Sequence, residues 1–162
     1  MIFEKQRWGA AVSGQIIIRR AQTEDLEALA GLLQILFTLE ADFTVDLAKQ
    51  LSGLKLLVAE EARGCLLVAA VDGKIAGMCS AQLLVSTAEG GYKALVEDVV
   101  VATEYRRRGV AQKLLAEIEC WALARGAKRL DLLAVHDNTP ALTLYGRLNW
   151  RSTELIALQK TL

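Results

Sequence analysis

The sequence predicts an α/β domain: a mixed central sheet with helices on both faces, in the order β-α-α-β-β-β-α-β-α-β. Two patterns carry this. First, residues 94–101 end in the β-branched run Val99-Val100-Val101 and meet a short turn. Val110, Ala111, Leu114, Leu115, Ile118, Trp121 and Ala122 then fall at helix spacing, and residues 129–135 read as another strand. Strand, helix and strand in that order make a right-handed parallel crossover. Second, Asp72-Gly73 separates two apolar runs, which is a two-residue hairpin signal. The strands ahead of the crossover are therefore antiparallel, and the sheet is mixed.

The elements follow in order. Residues 1–14 contain Lys5 and Arg7 but no apolar core of signal-peptide type, and read as an extension ahead of a single domain, 15–162. Residues 16–19 are a β-branched strand. Thr23 is placed to cap a helix, with Glu24 and Asp25 in its first turn and Leu26, Leu29, Ala30, Leu33, Leu36 and Phe37 on one face. A polar break near Ala41-Asp42 ends it. Thr44 is a candidate cap for a second helix carrying Leu47, Ala48, Leu51, Leu54 and Val58. Residues 65–71 are almost wholly apolar, as in a strand covered on both faces. A second strand runs from Lys74 to about Thr87, and Glu89-Gly90-Gly91 connects it to the third. Gly126 stops the long helix, and Asn138 with Pro140 starts another whose apolar face holds Ala141, Leu144, Tyr145 and Leu148. A last strand runs from Trp150 through Leu158.

Composition bounds the function. The chain has 162 residues, enough for one domain with a core, and its formal net charge is zero. Neutrality argues against a general nucleic-acid or anionic-membrane surface. No apolar run is long enough to span a bilayer. Cys65, Cys79 and Cys120 are odd in number and far apart, and the lone His136 has no neighbouring cysteine. No metal site and no disulfide framework are expected, only buried thiols in a reducing cytoplasm.

Within this neutral chain, Arg106-Arg107-Arg108-Gly109 sits at a strand-to-helix junction. A helix start offers unpaired N–H donors and the positive end of the macrodipole. Gly109 allows close backbone approach, and guanidinium groups add charge-assisted bonds to phosphate. Without an anion, arginines there oppose the dipole. The pattern reads as a site for a phosphate ester.

Arg106-Arg-Arg-Gly109-Val110-Ala111 resembles the Arg/Gln-x-x-Gly-x-Gly/Ala signature of the GNAT superfamily of N-acetyltransferases. Asn138-Thr-Pro-Ala141-Leu-Thr-Leu144-Tyr145 with Asn149-Trp150 is similar to a second motif of that family, Asn149 standing for its glycine and Trp150 for its phenylalanine. With the element order, the resemblance covers the chain from residue 15. It implies a sheet of about six to seven strands. It also implies acetyl-coenzyme A as co-substrate, held by the backbone of Val99, Val100 and Val101, by Arg106, Arg107, Arg108, Gly109, Val110 and Ala111, and by Asn138 and Tyr145. The implied activity is transfer of the acetyl group to a primary amine of a small molecule, amino acid or peptide by direct attack.

Two side chains are candidates for proton transfer. Tyr145, a phenol of pKa ~10, can protonate a leaving thiolate of pKa ~8.5; the plain alternative is a core aromatic. Glu97 is the candidate base or amine-binding anion, and a structural salt bridge is its alternative. Two residues before Val99, it is expected to share that residue's strand face, with Asp98 pointing the other way. His136 reads as a turn residue. Phe37, Glu40, Asp42, Phe43 and Tyr92 are candidates to line a cationic-amine pocket, and the last strand and apolar edges would support a homodimer. The competing reading is a regulatory module that binds acyl-coenzyme A without turnover.

Overall fold

The computed structural model describes residues 14–39 and 43–161. Residues 1–13 of the proposed arm 1–14, Lys5 and Arg7 included, lie outside them, as do Glu40, Ala41 and Asp42. One five-stranded sheet runs in the order β1-β2-β3-β4-β5. Its strands are β1 (Ile16–Arg20), β2 (Gly64–Val71), β3 (Lys74–Ser86), β4 (Gly91–Val101) and β5 (Ala127–Leu132). The helices are α1 (Leu26–Leu39), α2 (Leu47–Ala59), α3 (Val110–Ala124) and α4 (Thr139–Arg147). β1 to β4 form an antiparallel meander, and β4 and β5 are parallel across α3.

The expectation of six to seven strands is corrected to five among the described residues, because residues from Trp150 to Leu158 form no strand. Beyond the half-buried Trp150 that segment is exposed, with Leu155 and Leu158 each 86% accessible, and it finds no neighbouring ladder. Apolar residues there gave a strand signal, but pairing requires a free edge in the right register.

Each sheet face has its own core, as period-two alternation dictates. Along β2, Cys65, Leu67 and Ala69 join Leu114, Leu115, Ile118 and Trp121 of α3, with Leu144 and Tyr145 of α4 and the capping Leu148 packed against that cluster. Leu66 and Val68 face the other way, into Leu26, Leu29, Leu33 and Leu54 of α1 and α2. Cys65 and Cys79 are buried as expected, but Cys120 is exposed on the solvent side of α3.

Two caps differ from expectation. A turn of 3-10 helix at Thr23–Asp25 precedes α1, and Gln22, not Thr23, holds the cap position. The Gln22 N–H donates to the Asp25 carboxylate at 2.8 Å. Asp46, not Thr44, caps α2, accepting from the Lys49 N–H at 3.1 Å. In both cases a carboxylate satisfies a donor that would otherwise face solvent alone.

Candidate active site

The parallel ladder ends early. β5 pairs with β4 at Tyr92, Ala94, Leu95 and Val96, and the last pair is Val96 with Leu132. β4 continues to Val101, so its edge from Glu97 onward has no β5 partner. Backbone polar groups on such an edge seek other partners. Val99 and Val101 pack toward the α3 core while Val100 is buried on the α1 side.

A bulge sits at the same point. Val100 pairs with Met78 and Glu97 pairs with Ser80, leaving Cys79 opposite both Asp98 and Val99. Asp98 takes up the extra residue at φ 52°. This overturns the expected facing. Glu97 lies on the α1–α2 side beside Gln82, whose Nε2 stands 3.4 Å from Glu97 Oε2, whereas Val99 faces α3. Asp98 also turns to the α1–α2 side, where Ser80 Oγ donates to its Oδ2 at 3.2 Å. Two adjacent carboxylates thus share one face, because the extra residue resets the alternation.

The loop after β4 makes a turn of 3-10 helix at Thr103–Tyr105, and α3 then begins. Arg107 has φ 60° and Gly109 has φ 81°, so the chain reverses through left-handed backbone at both. Arg106 Nε donates to the Val101 carbonyl at 3.0 Å, tying the loop to the end of β4. Arg108 lies over the Tyr105 ring at 5.6 Å. All three guanidinium groups are exposed, and none forms an ion pair among the described residues. α3 has no side-chain cap and no acid in its first turn, so its first donors remain open to an anion. Val110 is buried and Ala111 half-buried at this end.

α4 closes the other wall. Asn138 Oδ1 accepts from the Ala141 N–H at 3.3 Å, as the sequence predicted. The helix ends in a Schellman arrangement: Trp150 N–H donates to the Tyr145 carbonyl at 3.0 Å, and Asn149 N–H to Gly146 at 3.2 Å. Asn149 has φ 65°, the left-handed role assigned to it in the sequence. The Tyr145 ring is half-buried, 6.0 Å from the Trp150 ring. His136 is exposed in the β5–α4 loop.

On the α1–α2 face lies a cavity of about 580 Å³, whose wall includes Phe37, Phe43, Gln50, Leu54, Gln82 and Asp98. The Phe37 and Phe43 rings are 5.2 Å apart. Tyr92 is not part of this wall; it stands near the β3–β4 turn, paired with Val85 and Ala127. Of the expected lining residues only Phe37 and Phe43 stand on this wall among the described residues; Gln50, Gln82 and Asp98 are polar wall residues that sequence reasoning missed. Gln50 is a buried polar residue on a helix whose pattern reads amphipathic, and no local signal marks it. A larger cavity, about 840 Å³, is lined by Arg20, Trp121 and Arg125 among others; it lies at the far end of α3 from the arginine loop. Among the described residues no cluster of three His, Cys, Asp or Glu could hold a metal, and no helix is long and apolar enough to cross a membrane.

Comparison with known proteins agrees with this fold. An acetyltransferase of Pectobacterium atrosepticum is 29% identical over 96 residues, covering 59% of this chain and 64% of that protein. The chain thus spans just under two thirds of the length of that curated relative. A possible acetyltransferase from Clostridium difficile 630 superposes with a TM-score of 0.78 at 23% identity, over 91% of this chain and 97% of that one. The aminoglycoside N-acetyltransferase AAC(6')-Iy in complex with CoA gives 0.79 at 19% identity, over 94% of this chain and 98% of that one. These structures share its fold. The acetyltransferase (GNAT) family model matches residues 31–150, and the chain therefore belongs to the GNAT family of acetyltransferases.

Proposed function

We infer that this protein transfers an acetyl group from acetyl-coenzyme A to a primary amine. The observation that carries the reading is the early end of the β4–β5 ladder at Val96 and Leu132, beyond which β4 runs on to Val101 and leads directly into three arginines that form no ion pair among the described residues and a helix start with no side-chain cap. The amide donors of α3's first turn, around Val110 and Ala111, suit a diphosphate, with Gly109 leaving room and Arg106, Arg107 and Arg108 adding charge. Backbone N–H groups of Val99 to Val101 suit the pantetheine arm and an acetyl oxygen. Fixed donors stabilise a developing oxyanion better than mobile water does. AAC(6')-Iy has been solved with CoA and with a bisubstrate analogue, which supports a coenzyme site in the shared fold.

The amine attacks the thioester carbon, and the carbon–sulfur bond breaks as the tetrahedral intermediate collapses. Tyr145 gives its phenolic proton to the departing thiolate. Glu97 accepts the proton that the amine loses, directly or through water. Asn138 fixes the start of α4 and so the position of Tyr145. The free thiols suit a reducing cytoplasm. A homodimer built on the open sheet edge and the apolar tail belongs to the same reading.

Calorimetry with coenzyme A and acetyl-coenzyme A, followed by free-thiol release with an amine panel, tests the assignment. Heat with both ligands and thiol release with an amine are expected. Tight coenzyme binding with no turnover on any amine would instead mark an acyl-coenzyme A-binding regulatory module.

A further inference from the structure

The cavity on the α1–α2 face has a composition that restricts what enters it. Its wall is dominated by Leu33, Phe37, Phe43, Leu54 and Leu57. The charged groups on that wall among the described residues are Lys49, Glu60 and Asp98, a balance of one negative charge. Gln50 is 7% exposed, yet its Oε1 is sealed from solvent and accepts no hydrogen bond among the described residues. A buried amide oxygen without a donor is costly, and a ligand that brings a donor recovers that cost. Asp98 is held at the same wall by the strand bulge, with Ser80 fixing one of its oxygens.

We propose that the acceptor is an amphiphilic monoamine: one ammonium group on an apolar body the size of an aromatic ring, carrying a further hydrogen-bond donor. The rings of Phe37 and Phe43 take the apolar body. Asp98 supplies the charge that draws the ammonium toward β4, and the Gln50 carbonyl accepts from the second donor. A polycation is less well served, because Lys49 offsets Glu60 on the wall and each additional ammonium would lose water against leucine and phenylalanine. The proposal rests on the acetyl-transfer reading for turnover, though amine binding stands by itself. It also separates this chain from AAC(6')-Iy, an aminoglycoside acetyltransferase of the same fold. Asp98 and Gln50 are positioning residues in this scheme.

The test uses the full-length protein with tyramine, phenethylamine, spermidine and kanamycin. Thiol release should give kcat/KM for tyramine at least about tenfold above spermidine and kanamycin, the scale of one charge-assisted contact. Gln50→Leu should raise KM for tyramine about tenfold. It should leave KM for phenethylamine, which lacks the hydroxyl, and KM for acetyl-coenzyme A unchanged. Asp98→Asn should raise KM for both monoamines. A preference for spermidine or kanamycin, or equal KM changes for tyramine and phenethylamine in Gln50→Leu, would overturn the proposal. Binding is read separately, on the unaltered protein, by NMR of the Gln50 side-chain amide. If tyramine moves that resonance but no amine is acetylated, the monoamine site stands and the transferase reading fails. If tyramine leaves it in place while another amine is acetylated, the reverse holds.

Discussion

Glu97 and Asp98 are neighbours with the same charge, and the bulge sends both to one face of β4. Their duties divide by what they touch. Glu97 is exposed beside Gln82, with room for a proton to pass to water, whereas Asp98 is braced by Ser80. If Glu97 is the base, its worth depends on the acceptor's own pKa. An alkyl amine near ~10.4 is almost wholly protonated at pH 7, but an α-amine near ~8 is neutral in roughly a tenth of molecules. Glu97→Gln is therefore expected to lower kcat/KM for an alkyl amine far more than for an α-amine; equal losses would point to a structural role. Asp25 illustrates a carboxylate with a different purpose. A bidentate bond from Arg19, at 2.7 and 2.8 Å, outweighs burial and holds its pKa below the usual range, with the Gln22 N–H adding to it. A depressed pKa gives stability that is present above the unfolded value and lost as pH falls through the folded one. Arg19→Gln should move the acid-unfolding midpoint to higher pH in a circular-dichroism titration, and Asp25→Ala should cost ~1–3 kcal/mol at neutral pH.

At the scale of elements, the proposed site is built at junctions. The α3 start has no side-chain cap and no acid in its first turn, and its arginines form no ion pair among the described residues, a poor arrangement for a helix alone. Arg106→Glu should raise KM for acetyl-coenzyme A by at least about tenfold while thermal stability holds, since only one guanidinium nitrogen is engaged, at the Val101 carbonyl. The α4 end is the opposite case, closed by its own backbone. Asn149→Ala should lose ~1 kcal/mol in denaturant unfolding, whereas Asn149→Gly should be neutral, because only the left-handed backbone is at stake. These junctions were legible because turn chemistry is local: Asp72-Gly73, Gly109, Asn138 and Asn149 announce themselves through conformation or capping. The helix caps at Gln22 and Asp46 were missed because several polar residues compete within two positions, and side-chain reach decides between them. The β4 bulge was missed because an extra residue in an alternating run has no composition of its own. Gln50 was missed because burial of one polar position on α2 depends on where Phe43 and β3 pass.

The whole molecule is a sheet with two unequal edges and two cores. Leu114 lies at the centre of one core with no exposure, and Leu114→Ala should cost ~2–5 kcal/mol. Burial also sorts the thiols: it raises the pKa of Cys65 and, far more, of Cys79, while Cys120 stands in solvent. Ellman's reagent should label Cys120 alone in the folded protein and the other two only on unfolding. The element order and crossover were readable from β1 to α4 because helix and strand periods differ. The sixth strand was not, because an apolar tail becomes a strand only where another edge receives it.

The extra residue at Asp98 is spare in the register of β4, and that sets what a change of length would do. Removing Asp98 would restore strict alternation with nothing downstream displaced: Val99 would stand opposite Cys79, Glu97 would keep Ser80 and Val100 would keep Met78. Val99, Val100 and Val101 would hold the faces they now fill. A one-codon deletion there would spare both cores and strip a carboxylate from the cavity wall, whereas a deletion one place later would slide Asp98 toward the face that Val99 occupies.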